Sequence, residues 1–295
     1  MNIPFINAWR TRLPDFIALM RLDKPIGTFL LLWPTLTALW LAESGRPRTR
    51  LLFIFIFGVI LMRAAGCVIN DIADRKWDGH VTRTQQRPLA TGRIQTQEAL
   101  ILFALLTLCA FGLVCLTNPL TVLLSCFAAG LATLYPFTKR FTHFPQLFLG
   151  AAFSMGIPMT FSAAHGSIPA HAWLLFLFNW VWTIAYDTQY AMVDREDDAR
   201  IGIKSTALFF GENEVLAIGL LQAVCLLPLL LMMRRIPLSP VFAVGLLIIV
   251  ILFSFQHMLI RTRQPQQCFQ AFQNNAWVGV TLYASTVLHF WFATT

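Results

Sequence analysis

Nine apolar runs separated by short polar connections make up most of this chain. They fall at about 26–42, 51–69, 99–116, 120–137, 147–164, 173–186, 215–233, 241–257 and 277–292. Runs of this length predict helices that cross a hydrocarbon layer about 30 Å thick, the shorter ones only in part. The pattern therefore predicts an all-α polytopic membrane protein with nine transmembrane helices. Pro34, Pro158 and Pro228 lie inside runs. They are expected to kink their helices, which is tolerated where neighbouring helices satisfy the freed carbonyls.

Composition narrows the class further. The chain is 57% hydrophobic and only 12% charged, which excludes an ordinary soluble domain of this length. Cys67, Cys109, Cys115, Cys126, Cys225 and Cys268 are scattered, mostly within apolar runs, and form no CxxC pair. That argues against zinc, iron–sulfur clusters and a disulfide framework. A net charge of +8 points here to topology and lipid headgroups rather than to nucleic acid. With the N-terminus placed in the cytoplasm, sixteen of the 22 Lys and Arg residues fall on the cytoplasmic side and five on the other, with Arg63 inside a span. That asymmetry supports nine spans. The segment before Asp15 has Arg10 and Arg12 but no apolar run, so no removable signal is expected. A weak internal repeat suggests two four-helix units, about 21–140 and 145–260, plus a final helix, all in one domain.

Against this apolar background, Asn70-Asp71-Ile72-Ala73-Asp74-Arg75-Lys76-Trp77-Asp78 stands out. On a continuous helix Asp71, Asp74 and Asp78 share one face, with Asn70 at its edge. A second cluster follows the sixth run: Asp187, Asp194, Asp197 and Asp198, with Asp187 and Asp194 at i, i+7 and Asp194 and Asp198 at i, i+4. Like charges on one face repel and require a cation. The bland reading is a solvated charge run with Arg75 and Lys76 as counter-charges. Two such clusters at the same membrane edge instead suggest two halves of one site in which Mg2+, a hard ion that takes oxygen ligands, meets a diphosphate.

Basic residues follow the same logic. Arg63 lies at a depth where a cation is costly, so it faces the interior or a wet cavity; it is either a structural counter-ion or a group that captures an anion. Arg83 and Arg87 follow the first acidic cluster, and their forks suit phosphate oxygens. Tyr135 and Lys139 stand at i, i+4 at a helix end, and Lys204 closes the loop after the second cluster. Each alone reads as a snorkelling side chain. Asp23 and Lys24, before Pro25, are expected to cap the first span. A cation transporter is the alternative class, but it should carry polar groups at the membrane midplane, where this chain is nearly free of charge.

These motifs resemble the UbiA superfamily of intramembrane aromatic prenyltransferases, and within it the bacterial 4-hydroxybenzoate polyprenyltransferases. Asn70-Asp71-x-x-Asp74-x-x-x-Asp78 is similar to the first aspartate-rich motif, and the tract from Tyr186 to Asp198 to the second. Supporting tracts are Arg21-Leu22-Asp23-Lys24-Pro25-Ile26-Gly27, Leu32-Trp33-Pro34-Thr35, Arg63-Ala64-Ala65-Gly66-Cys67, Asp78-Gly79-His80-Val81, Tyr135-Pro136-Phe137 and Gly202-Ile203-Lys204-Ser205-Thr206-Ala207. The likeness is dense from about 21 to 211 and looser to Asn274-Asn275. One departure is Gln86-Arg87-Pro88, where the family commonly has Asn-Arg-Pro.

The resemblance implies a nine-helix bundle around a central cavity, open sideways to membrane lipid, in a bacterial inner membrane. It implies Mg2+-dependent transfer of a polyprenyl group from polyprenyl diphosphate to the ring of 4-hydroxybenzoate, ortho to the hydroxyl, in ubiquinone biosynthesis. Asn70, Asp71, Asp74, Asp78, Asp194 and Asp198 are then the expected metal ligands. Arg87, Lys139 and Lys204 are expected at the diphosphate, beside Tyr135. Arg63 or Arg21 is expected at the benzoate carboxylate, and Asp187 is the candidate base for the ring proton.

Overall fold

The computed structural model describes residues 4–235 and 239–293, with side chains from 12 to 234 and from 239 to 292. The side chains of Arg10 and Arg235, counted above for topology, lie outside that set. Among the described residues the regular structure is all helical: α1 (Pro4–Met20), α2 (Ile26–Ala42), α3 (Thr49–Asp74), α4 (Thr96–Val114), α5 (Pro119–Thr138), α6 (Pro145–Ser154), α7 (Gly156–His165), α8 (Ala170–Val193), α9 (Arg195–Ile201), α10 (Thr206–Phe210), α11 (Glu214–Arg235), α12 (Pro240–Ile260) and α13 (Pro265–Ala293).

Every predicted run falls on a helix or a helix pair. Six of these rods are long and apolar enough to cross a membrane: α3, α4, α5, α6 with α7, α10 with α11, and α12. Helix α2 is apolar but shorter. The protein is therefore a multi-pass membrane protein.

The rod 145–165 breaks at Met155, three residues before Pro158. Proline has no N–H for the carbonyl of Ser154 and its ring crowds that carbonyl, which accounts for the break. Pro34 and Pro228 sit within α2 and α11, which continue past them. The start of α13 was missed: its polar first turns, Gln266 to Asn275, precede the predicted run. Asp23 and Lys24 do not cap α2; Pro25 is its N-cap, without a side-chain bond.

Helix α1 is absent from the nine runs because Arg10, Arg12 and Asp15 interrupt its apolar positions. Phe16, Leu19 and Met20 nonetheless pack on Val68, Leu89, Ile94 and Ala99. Arg12 pairs with Glu98 at 2.6 Å and Arg93 with Asp15 at 2.8 Å, fixing α1 to the start of α4 and the loop before it.

Helices α2, α3, α5, α6–α7, α8 and α13 meet in turn, and α13 returns to α2. Helix α4 packs outside α3, α11 outside α8, and α12 outside α13. The main core, with Phe161, Phe178, Trp182 and Tyr186 inside, lies where α2, α7, α8 and α11–α13 converge. Polar residues in α8 and α13 are used within it. Trp182 Nε1 donates to Asn275 Oδ1 at 2.8 Å, Asn275 Nδ2 to Gln189 Oε1 at 2.8 Å, and Gln189 and Gln222 both donate to Gln256 Oε1, at 3.2 and 2.8 Å. Amides buried in a lipid-surrounded core need such partners, and the network fixes the register of four helices. It sits one turn from Asp187 and so holds the acid-bearing end of α8 in place.

Candidate active site

The last turn of α3 carries Asp71 and Asp74, both buried. The helix stops at Asp74, and Asp78 lies in a following 3-10 turn, Asp78–His80. The expectation of one continuous acidic face fails there because the chain leaves the apolar layer and turns. The three carboxylates still converge, at the negative end of a helix where acids are least favoured. Arg75 and Lys76 are exposed and do not neutralise them; Arg75 reaches Thr96 instead.

The neutralising cations come from outside the acidic tract itself. Arg21 Nη2 donates to Asp71 Oδ1 at 2.5 Å. Arg87 Nη1 bridges Asp71 at 3.0 Å and Asp78 at 2.9 Å. Lys139, at the end of α5, pairs with Asp74 Oδ2. Asp74 Oδ1 is buried and has no hydrogen-bond partner among the described residues. Arg140 supports the arrangement from outside, donating to the Ala73 carbonyl at 2.6 Å and lying over Trp77. Burial raises the Asp78 carboxyl above its ordinary range, Arg87 opposes, and Asp74 and Asp71 add to the rise.

Arg21 owes its aim to an unusual turn. Helix α1 ends with Leu22 N bonded to Ile17 O and Arg21 N to Ala18 O, both at 3.1 Å, the Schellman pattern in which glycine usually occupies the left-handed position. Here Arg21 occupies it, with φ +54°. A non-glycine there costs about 1–3 kcal/mol and persists where its surroundings require it; the Asp71 contact supplies that requirement.

The second acidic tract faces the first. Helix α8 ends at Val193, and Asp194 sits between α8 and α9 with φ −100° and ψ 6°. The i, i+4 relation of Asp194 and Asp198 is kept by the first turn of α9, where Asp198 N bonds to Asp194 O at 2.8 Å. Arg83, from the loop after α3, engages Asp194 through Nε at 2.9 Å and Nη2 at 2.5 Å and lies 4.6 Å over the Tyr190 ring. Thr82 N donates to Asp197 at 3.0 Å. The two loops thus close on each other. Burial pushes the Asp198 carboxyl up to about 7, with Asp194 adding and Lys139 and Arg83 opposing. The ion pair between Arg83 and Asp194 was not legible in sequence, since 111 residues separate them.

All the candidate residues line one cavity of about 1940 Å³: Asn70, Asp71, Asp74, Asp78, Asp187, Asp194, Asp198, Arg21, Arg63, Arg87, Tyr135, Lys139 and Lys204, together with Arg83. Lys204 donates to the Phe141 carbonyl at 3.4 Å rather than to a carboxylate. Asp187 interacts electrostatically with Arg63 and Lys139. Arg63 has no carboxylate within ion-pair distance among the described residues and lies over Phe153. Away from the charges the cavity becomes apolar and reaches Ile54, Phe55, Phe111 and Val114. Along α3, Asp74 to Ile54 is about 30 Å of helix, the full depth of a hydrocarbon layer.

The donor set suits a hard divalent ion: it is all oxygen, and it contains a buried unpartnered oxygen on Asp74. Among the described residues, however, no three acidic groups are grouped to hold a bare ion, and Asp71, Asp74, Asp78 and Asp194 are each ion-paired with a cation instead. The site fits a metal that arrives with an anion able to draw those cations away.

A sequence profile of the UbiA prenyltransferase family matches residues 31–294. The 4-hydroxybenzoate octaprenyltransferase of Chromohalobacter salexigens is 58% identical over 280 residues, 95% of this chain and 94% of that one. The protein of the same name from Azotobacter vinelandii is 54% identical over 285 residues, 97% of each chain. Among solved structures, the apo form of a UbiA homolog from Aeropyrum pernix K1 has a TM-score of 0.78 at 21% identity, covering 88% of this chain and 97% of that one. A UbiA homolog from Archaeoglobus fulgidus bound to GPP and Mg2+ has a TM-score of 0.71 at 17% identity, covering 92% and 99%.

Proposed function

The chain belongs to the UbiA prenyltransferase family, and from that premise we propose that it transfers a polyprenyl group from polyprenyl diphosphate to the ring of 4-hydroxybenzoate, ortho to the hydroxyl, in ubiquinone biosynthesis. The observation that carries this reading is a single cavity with facing acidic and basic groups at one end and an apolar arm about one bilayer deep at the other. A diphosphate suits the first and a polyprenyl chain the second. The near relatives' names supply the acceptor.

Asn70, Asp71, Asp74, Asp78, Asp194 and Asp198 are the residues to hold Mg2+. When bound, that ion offsets the negative charge that develops on the departing diphosphate. Arg87, Lys139 and Lys204 bind the phosphate oxygens, with Arg83 beside them and Tyr135 on the wall above Lys139. Ionisation of the allylic C–O bond is favoured where such donors are already aimed at the leaving group. The apolar walls keep water from the allylic cation. Arg63 receives the acceptor carboxylate in preference to Arg21, because Arg21 is held by Asp71 and Arg63 has no ion-pair partner among the described residues. Asp187, which lines the same cavity and interacts electrostatically with Arg63, takes the ring proton once the new C–C bond has formed.

The enzyme sits in the bacterial inner membrane with nine crossings, its N-terminus and acidic loops in the cytoplasm, as the Lys and Arg distribution supports. Helices α8 and α13 complete the nine, with Asn179, Gln189, Asn275 and Thr286 among their buried polar residues.

Acceptor choice is tested by offering 4-hydroxybenzoate and a ring without the carboxylate to membranes that contain the protein, with geranyl diphosphate as donor. The expected product is ring-prenylated 4-hydroxybenzoate. Preferential prenylation of the ring lacking a carboxylate would overturn the acceptor.

The Asp198 carboxyl, raised to about 7 by burial, implies a pH dependence. A carboxyl must lose its proton to become a metal ligand. Acidification below about pH 7 is therefore expected to weaken Mg2+ binding, by roughly tenfold per unit if one proton is exchanged. Calorimetric Mg2+ titrations above and below neutrality check this, and a pH-independent affinity would contradict it.

A further inference from the structure

Gly27 lies in the first turn of α2 and is buried. A glycine inside a helix costs about 0.5–1 kcal/mol relative to alanine, so one kept there calls for a packing reason. The reason lies 36 residues further along the chain, in α3. A Cβ on Gly27 would fall 2.5 Å from Arg63 Nε and 2.6 Å from Cζ, and nearer still to Nη2. On the cavity side, Arg63 Cζ stands 5.8 Å from the centre of the Phe153 ring of α6. The guanidinium is thus held between the bare backbone of α2 and an aromatic ring, with no carboxylate within ion-pair distance among the described residues.

We propose that Gly27 and Phe153 form a slot that sets the plane of the Arg63 guanidinium and so tunes the site for a planar aromatic carboxylate. Gly27 is a positioning residue. This rests on the reading that Arg63 receives the acceptor carboxylate. A two-pronged carboxylate accepts parallel N–H bonds only from a fork in its own plane, and a side chain otherwise free to rotate gains affinity when its orientation is fixed beforehand. A methyl at position 27 displaces the fork without removing its charge. The nearest atoms to that methyl are all of Arg63, and the donor's ligands are not among them.

The experiment measures KM for 4-hydroxybenzoate and for geranyl diphosphate in Gly27→Ala, Arg63→Ala, Arg63→Lys and the double variant Gly27→Ala/Arg63→Lys. Gly27→Ala is expected to raise the acceptor KM by about 10- to 100-fold, the range for a charged bidentate hydrogen bond, with the donor KM unchanged. A lysine has no planar fork to displace, so Gly27→Ala is expected to add nothing on the Arg63→Lys background. Wild-type acceptor KM in Gly27→Ala, beside a raised KM in Arg63→Ala, would overturn the slot and leave the acceptor reading intact. An unchanged acceptor KM in Arg63→Ala would overturn both. If Gly27→Ala does not fold, Phe153→Leu opens the opposite wall; the slot then predicts a raised acceptor KM with the donor KM unchanged, and a wild-type acceptor KM refutes it.

Discussion

Asp74→Ala and Asp194→Ala each lower prenyl transfer by about a thousandfold or more, the scale on which a single preorganised electrostatic group acts at a developing charge. Asp74 is the more informative position. Its Oδ2 holds Lys139 and its Oδ1 is buried without a partner, an arrangement that costs stability in isolation and fits a residue whose second oxygen awaits a ligand. Asp194 is the corresponding residue of the facing loop, held side-on by Arg83. Neither loss should unfold the bundle. The released partners are part-exposed toward the cavity, 22% for Lys139 and 32% for Arg83, and can be hydrated there, unlike a charge stranded in a core. The check is an initial rate alongside a melting curve and elution profile in detergent. Near-wild-type turnover in either variant would remove the two-motif site.

Mg2+ alone binds weakly, and inorganic diphosphate tightens its binding by about 5- to 150-fold, the usual range of coupling between two ligands. The cause is the set of ion pairs that occupies the acids: Arg21 and Arg87 on Asp71, Arg87 on Asp78, Lys139 on Asp74 and Arg83 on Asp194. An ion binding alone must break these ion pairs and leave the freed guanidinium and ammonium groups with water in place of a carboxylate. A diphosphate gives Arg87, Lys139 and Arg83 new oxygens, so the carboxylates are released as the anion enters. Reciprocity requires Mg2+ to tighten diphosphate binding by the same factor. Calorimetric titration of each in the presence and absence of the other measures it. Arg83→Gln should raise the affinity for Mg2+ alone and reduce the coupling. Independent binding of the two would contradict the exchange of partners.

Much of this was visible in sequence. The nine apolar runs fell on helices because apolar length is a local property of the chain, and the acidic tracts were conspicuous against a charge-poor background. Three features were not legible. Helix α1 was missed because it rests on the end of α4 and its preceding loop through Leu19 and the Arg12–Glu98 pair rather than on its own hydrophobicity. The acidic faces were drawn as continuous helices, but α3 ends at Asp74 and α8 at Val193, since helix periodicity says nothing about where a chain leaves the membrane. The local counter-charges Arg75 and Lys76 gave way to Arg21, Arg83, Arg87 and Lys139. Pairs such as Arg21–Asp71 and Arg83–Asp194, separated by 50 and 111 residues, depend on how the helices assemble, and no spacing rule reaches that far. Gly27 appeared within a quoted tract, but only the approach of Arg63 gives its missing side chain a purpose.

The most direct measurement is mass-spectrometric detection of prenylated 4-hydroxybenzoate formed by membranes containing this protein, supplied with geranyl diphosphate, with Mg2+ and then with excess chelator. A ring-prenylated product that appears with Mg2+ and disappears with chelator is the predicted result. Donor consumption and product formation unaffected by chelator, or no donor turnover with any aromatic acceptor, would contradict the account.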